Sequence, residues 1–436
     1  MTSVRIPEEN TFSLLFKNNM IYCGQISMRT GVVSMGMNQT PASNRVHIGF
    51  FGRRNAGKSS IVNAVTGQSL AIVSPIKGTT TDPVYKTMEL LPVGPVMIID
   101  TPGIDDEGFL GELRVRKTKQ VLNKTDVAVL VVDGTVGMTA VDEEMVELFR
   151  AKEIPYIVVF NKADLCSSDA CVDTDDCIWV SASEGSKIYE LKEKIAKLAK
   201  IEAPERKIVS DMLEPGDFVV LVVPIDSAAP KGRLILPQQQ TIRDILDGDG
   251  VSIVVKDDGL KETLERLGRK PKMVITDSQA FKQVSRDTPE DIMLTSFSIL
   301  FARYKGDLPQ TVEGVRALDA LEDGDRILIS EGCTHHRQCD DIGTVKLPGW
   351  IKAYTGKELN YEWSSGTEFP EDLSPYKLIV HCGGCMLNER EMKYRQKCAA
   401  DQNIPMTNYG ILIAYTQGIL KRSLEPFPDI LEILTR

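Results

Sequence analysis

The eight residues GRRNAGKS (Gly52–Ser59) constrain this chain more than any other stretch. They fit the pattern G-x-x-x-x-G-K-[ST], between the β-branched and aromatic run RVHIGFFG and a helix-like segment. The pattern works only where a buried strand feeds a tight loop into a helix N-terminus, so the chain must contain a mostly parallel α/β sheet. The glycines permit positive φ, which turns successive N–H groups toward phosphate oxygens. Lys58 supplies charge to the β- and γ-phosphates, and the Ser59 hydroxyl suits Mg²⁺. The expected cradle comprises Gly52, Arg53, Arg54, Asn55, Ala56, Gly57, Lys58, Ser59 and Ser60.

Further pieces lie downstream. DTPG ends a strand pattern, so Asp100 can hold Mg²⁺ through water and the Gly103 N–H can meet the γ-phosphate. In GTTTD, Thr80 is the expected metal-binding hydroxyl and Thr79 the alternative. NKAD (Asn161, Lys162, Asp164) follows another strand; the Asp164 carboxylate can accept from guanine N1–H and N2–H, a pair adenine lacks. SAS, with Ser181 and Ala182, would cover the base. Together these indicate GTP or GDP with Mg²⁺, with Lys58, Thr80 and Gly103 serving hydrolysis.

The rest of the chain reads as further α/β units. Strand-like runs alternate with helical patterns from Arg45 to about Lys200, the expected GTPase domain; in SKIYELKEKIAKLAK, Ile188, Leu191, Ile195 and Leu198 fall on one side. IEAPERK reads as a linker. A smaller α/β segment follows over 210–268, GRKPK marks a second boundary, and 271–436 alternates again with a helix near 287–304. No internal repeat is evident. At 436 residues the chain exceeds one ordinary core, which implies several domains. Residues 1–44 lack periodicity and read as an extension or as a start placed too far upstream, with a transit segment as the alternative. The net charge of −10 disfavours nucleic acid as the main partner, and no apolar run approaches the ~20 residues that span a bilayer.

Nine cysteines, grouped with histidines, suit metal or cluster binding in a reducing compartment better than a disulfide framework. ISEGCTHHRQCDD and KLIVHCGGCMLN place Cys333, His335, His336, Cys339, His381, Cys382 and Cys385 in two tight groups, each after a strand pattern. In open α/β sheets ligands gather beyond the carboxyl ends of strands, so the two groups can meet. A zinc site and an iron–sulfur cluster with an exchangeable fourth position both satisfy the spacing. Cys23, Cys166, Cys171, Cys177 and Cys398 read as ordinary free thiols.

Residues 45–200 resemble the tRNA-modification GTPase MnmE and the Era group. Ile104 follows Gly103, so no Gln orients water there, and Asp105, Asp106 and Glu107 read as a solvated loop. The resemblance implies that Asn55 helps bind a K⁺ ion which stabilises transition-state charge. A GTPase followed by C-x-H and, about 45 residues later, H-C-x-x-C is similar to the HydF family, the maturation GTPase of diiron (FeFe) hydrogenases. That resemblance runs from about Asn44 to the C-terminus. It implies a dimerisation domain in the middle segment and a C-terminal domain whose Cys333, Cys382 and Cys385 hold a 4Fe–4S cluster. His335 and His381 are candidates for its open iron, whereas His336 and Cys339 fall outside the motif. It also implies a homodimeric or larger scaffold and carrier, located in the cytoplasm or the matrix of an anaerobic organelle. The carrier would receive a diiron precursor made with radical-SAM maturases and deliver it to apo FeFe-hydrogenase. Two rivals stand: a zinc-containing Era- or MnmE-like GTPase acting in RNA modification or ribosome assembly, and a redox enzyme using the cluster for electron transfer.

Overall fold

The computed structural model describes residues 41–67, 83–103, 118–167, 172–200, 206–224, 234–332, 341–366 and 368–435. The first sheet contains β1 (Val46–Phe51), β2 (Val84–Leu90), β3 (Gly94–Asp100), β4 (Val127–Asp133), β5 (Tyr156–Asn161) and β6 (Cys177–Trp179). Their order is β2-β3-β1-β4-β5-β6, and only β2 runs antiparallel. Helices α1 (Lys58–Thr66), α2 (Ala140–Ala151) and α3 (Ile188–Lys200) flank it. Successive strand residues alternate between two buried faces, which is why the runs read as continuously apolar. Ile48, Phe50, Val129 and Val131 pack with Ile61, Leu191 and Ile195 on one side. Phe51, Ile99, Leu130 and Val132 pack with Met145 and Phe149 on the other.

Two four-stranded parallel sheets follow. One holds β7 (Phe218–Val222), β8 (Val251–Val255), β9 (Met273–Thr276) and β10 (Met293–Ser296), in the order β10-β9-β7-β8. The other holds β11 (Arg326–Glu331), β12 (Asn360–Ser365), β13 (Leu378–His381) and β14 (Met406–Asn408), in the order β12-β11-β13-β14. Counted from its own first strand, each sheet has the order 2-1-3-4, a likeness no sequence repeat announces. Among the helices around them are α4 (Leu236–Asp247), α5 (Leu260–Arg266), α6 (Phe281–Asp287), α7 (Phe297–Lys305), α8 (Leu308–Val315), α9 (Leu347–Thr355), α10 (Glu389–Asp401) and α11 (Tyr409–Thr416).

The boundary expected at GRKPK is corrected. Gly268, Arg269 and Lys270 are exposed and join α5 to β9, which pairs with β7 inside the same sheet. A charged, Gly- and Pro-bearing turn resembles a linker in composition, but the buried run Met273–Thr276 completes the middle sheet beyond it. The helix expected near 287–304 is likewise divided: β10 pairs with β9 (Leu294 with Val274, Thr295 with Ile275) before α7 begins, with Ser296 as its cap. One core joins both four-stranded sheets. Val219, Ile275, Leu300, Val312, Ile329, Val380 and Ile411 belong to a single buried cluster.

The first sheet meets the rest of the chain through polar groups at the N-terminal ends of its strands. Asn388 caps α10 by accepting from Glu391 N–H (3.1 Å). Its Nδ2 donates to the Lys124 carbonyl (2.8 Å) and lies 3.3 Å from His47 Nδ1 on β1. Arg390 donates to the Lys152 and Glu153 carbonyls (3.3 and 3.1 Å). Arg206 pairs with Glu389 at 3.4 Å.

Candidate nucleotide and cluster sites

The phosphate loop spans the end of β1 and the start of α1. Gly57 caps α1 at φ 90°, and a Cβ there would lie 2.2 Å from Asn161 Nδ2, so only glycine fits. Asn55 also has positive φ (62°). Lys58 Nζ donates back to the carbonyls of Gly52 and Arg53 (3.0 and 2.9 Å), which fixes the ammonium across the loop. Ser59 Oγ donates to Asp100 Oδ2 (2.8 Å), so the two expected Mg²⁺ groups meet. The other oxygen, Asp100 Oδ1, is buried without a hydrogen-bond partner. Burial pushes this carboxyl above its ordinary range, with Ser59 and Lys58 opposing. An orphaned buried carboxylate oxygen beside a serine hydroxyl fits a divalent cation. Gly103 sits against Arg54: a Cβ would lie 3.0 Å from the Arg54 nitrogen.

The base-recognition pieces converge as well. Asn161 Nδ2 donates to the Ala56 carbonyl and its Oδ1 accepts from Ala182 N–H (both 3.1 Å), tying the phosphate loop to the SAS loop. Lys162 pairs with Asp133. Ser181 Oγ donates to Asp164 Oδ1 (2.6 Å), and this bond holds the Asp164 carboxyl below its usual range. Thr79, Thr80, Ile104 and Asp105–Glu107 lie outside the described residues.

At the other site, β11 and β13 are adjacent and parallel. The chain leaves β11 toward β12 on one side and β13 toward β14 on the other, so the ends of β11 and β13 form a topological switch point. Cys382 follows β13 directly, and its Sγ accepts from Gly332 N–H (3.1 Å) and Gly384 N–H (3.4 Å). Gly384 has φ 62°, and a Cβ there would lie 2.5 Å from Met392 Sδ. Burial pushes the Cys382 thiol up to about 11 and raises that of Cys385. Thiols that backbone N–H groups already meet, and that lose their protons to a metal, fit an iron–sulfur cluster or another thiolate-bound metal. Cys333, the residue after Gly332, lies outside the described residues, as do His335, His336 and Cys339. Among the described residues no group of three or more metal-ligating side chains assembles.

His381, the other histidine expected near the open iron, has partners of its own in this structure. It is 1% exposed. Its Nδ1 lies 2.6 Å from the Cys382 carbonyl, which can only accept, and its Nε2 lies 3.1 Å from Arg395 Nη1, which can only donate. Both ring nitrogens are therefore committed, and burial with the Arg395 charge lowers the imidazole to about 3. Arg395 is fully buried and also pairs with Glu391 (2.9 Å) and donates to Gly366 O (2.7 Å).

Two side chains at these sites escaped the sequence reading. Arg395 follows Glu391 at helical spacing on the face of α10 that buries Met392 and Ala399, and that i,i+4 pair was a readable signal. Lys305, the last residue of α7, is 3% exposed. Its Nζ donates to the carbonyls of Cys385 (3.2 Å) and Leu387 (3.0 Å). Burial pushes it down to about 8, against the pull of Cys385 and Glu389. Cys166 and Cys177 bond weakly to the local carbonyls of Lys162 and Val172.

No helix among the described residues is long and apolar enough to cross a membrane. MnmE from Burkholderia cenocepacia, a tRNA modification GTPase, is 36% identical over 155 residues, or 34% of this chain and 33% of that relative. GTPase Der from Wolinella succinogenes is 33% identical over 172 residues, 36% of each. A solved structure of Aquifex aeolicus Era shares 22% identity over 55% of this chain and 97% of that one, with a TM-score of 0.33. The chain thus spans about a third of the length of the curated relatives it matches. Residues 47–162 match the 50S ribosome-binding GTPase family. Residues 208–306 match the hydrogen maturase F dimerization domain, which takes in β7 to β10, and residues 309–426 match the hydrogen maturase F tetramerization domain. With a match to a GTPase family and to both hydrogen maturase F domains in one chain, in this order, the protein belongs to the hydrogen maturase F family.

Proposed function

We propose that the protein is a GTP-hydrolysing scaffold and carrier that holds a 4Fe–4S cluster on Cys333, Cys382 and Cys385. It would accept a diiron precursor made with radical-SAM maturases and deliver it to apo FeFe-hydrogenase. The observation that carries this reading is the Cys382–Cys385 loop at the switch point, with the Gly332 N–H on Cys382 Sγ and Cys333 next in sequence. The cluster, when bound, supplies an iron position open to cargo. With His381 committed elsewhere, His335 is the remaining histidine candidate for that position. The Gly332 and Gly384 N–H groups hold sulfur charge at Cys382, and Arg395 keeps His381 neutral and fixed.

In the nucleotide half, Lys58 and the loop N–H groups bind phosphate, while Ser59, Asp100 and Thr80 would hold Mg²⁺. Asp164 and Ser181 select guanine. The Gly103 N–H meets the γ-phosphate, and Asn55 would help hold K⁺. The Asn388 contacts to Lys124 and His47, three residues beyond Cys385, offer a route by which the nucleotide state biases the cluster loop. The oligomer supported by the dimerization and tetramerization domains would present several such loops to partners.

The test is anaerobic reconstitution with iron and sulfide, then metal analysis and electron paramagnetic resonance of wild type and Cys382→Ala. About four irons per chain and a reduced-cluster signal, lost in the variant, are expected. One tightly bound zinc and no iron would overturn the reading and favour a zinc-bearing GTPase. Separately, equal hydrolysis rates in K⁺ and Na⁺ would remove the role given to Asn55.

A further inference from the structure

Lys305 is an unusual residue to find at the heart of the molecule. Lysine is almost never fully buried unless paired, yet this ammonium pairs with no carboxylate among the described residues. Glu389 reaches it only through space, being engaged by Lys393 (2.6 Å) and Arg206 (3.4 Å). Two carbonyls satisfy two of its protons, but carbonyl dipoles do not neutralise a charge. The Phe301 ring, 5.9 Å away, adds a weak cation–π contact. A buried cation without a counter-ion calls for an anion, and the residue whose carbonyl it grips is Cys385, one of the three proposed cluster ligands.

The position is also unusual in the fold. Lys305 ends α7, within the match to the dimerization domain, yet the carbonyls it grips belong to the cysteine loop after β13. One ammonium therefore fixes the backbone at Cys385 and Leu387 from outside the sheet that bears the cysteines.

We propose that Lys305 is the counter-cation and positioning residue of the cluster: its charge offsets the cysteine thiolates, and its two hydrogen bonds set the shape of the loop. This rests on the cluster reading above. Reduction adds negative charge to a thiolate-bound cluster, so a fixed nearby cation favours the reduced form and raises the reduction potential.

The experiment uses full-length protein reconstituted anaerobically, as wild type, Lys305→Met and Lys305→Arg, with circular dichroism to check folding. Iron content is measured first, then the midpoint potential by a redox titration read by electron paramagnetic resonance. K305M is expected to hold a cluster whose potential lies below that of wild type, with an altered signal shape, and K305R to stay near wild type. A K305M cluster with the wild-type potential overturns the proposal. If K305M holds no iron, K305R decides: recovered iron and potential support the proposal, and an equally empty K305R overturns it. Wild type without iron is a different failure, that of the cluster reading itself.

Discussion

The GTPase sheet and the two sheets that follow it are stabilised in different ways. The first has its own apolar layers on both faces, closed by α1, α2 and α3. The other two share one core that runs from Val219 through Leu300 to Ile411. Between these two bodies, the contacts around α10 are hydrogen bonds and ion pairs made by Asn388, Arg390 and Arg206. Apolar cores resist relative displacement because any shift opens cavities or clashes, whereas polar contacts can be exchanged with water at small net cost. The GTPase domain is therefore joined to the rest of the chain by polar groups, whereas the middle and C-terminal sheets share an apolar core.

Three measurements break or sharpen that contrast. Leu300 is fully buried in the shared core. Leu300→Ala should destabilise both four-stranded sheets together by about 3 kcal/mol, a middling value for such a truncation. In calorimetry of the full chain one transition should fall while the GDP-stabilised one stays; a fall in both would join the two bodies into one. Next, Asp164→Asn replaces one of the two carboxylate acceptors by an NH₂ donor that faces a guanine N–H, and should weaken GDP binding roughly 100-fold, about 2.7 kcal/mol. The nucleotide-dependent rise of the GTPase transition should shrink accordingly, and an undiminished rise would show that Asp164 does not read the base. The smallest effect belongs to the joint. Asn388→Ala should cost about 1 kcal/mol, the usual value for a lost helix cap. It should also reduce any difference in GDP affinity between cluster-loaded and cluster-free protein. An unchanged difference would mean that coupling runs elsewhere.

The sequence reading was strongest where function is local. The phosphate loop, DTPG and NKAD each need only a strand end and a few neighbours, and Ser59 does meet Asp100 while Asn161 does bind the loop. It was weakest where partition depends on distant pairing. Nothing local in Met273–Thr276 tells whether it joins β7 or β11, and the exposed turn before it mimicked a linker. The surroundings of His381 were hidden for a related reason. Its neighbour Cys382 was visible, but Arg395, which commits its second nitrogen, lies on a helix that only the fold brings back to β13. Lys305 was hidden in the same way, being separated by about eighty residues from the carbonyls it holds.

The placement of the joint has a consequence for how such a chain could be assembled in evolution. In parallel sheets the loops that bind ligands cluster where the strands end, which leaves the strand beginnings chemically idle. His47, Lys124 and Glu153 all lie at beginnings, and the motifs for phosphate and guanine all follow endings. A complete GTPase could thus be mounted by its blank end onto the body that bears the cysteine loop. The nucleotide module would not have had to surrender a functional loop, and the surface it meets, Asn388 to Arg390, lies just past the cysteine loop.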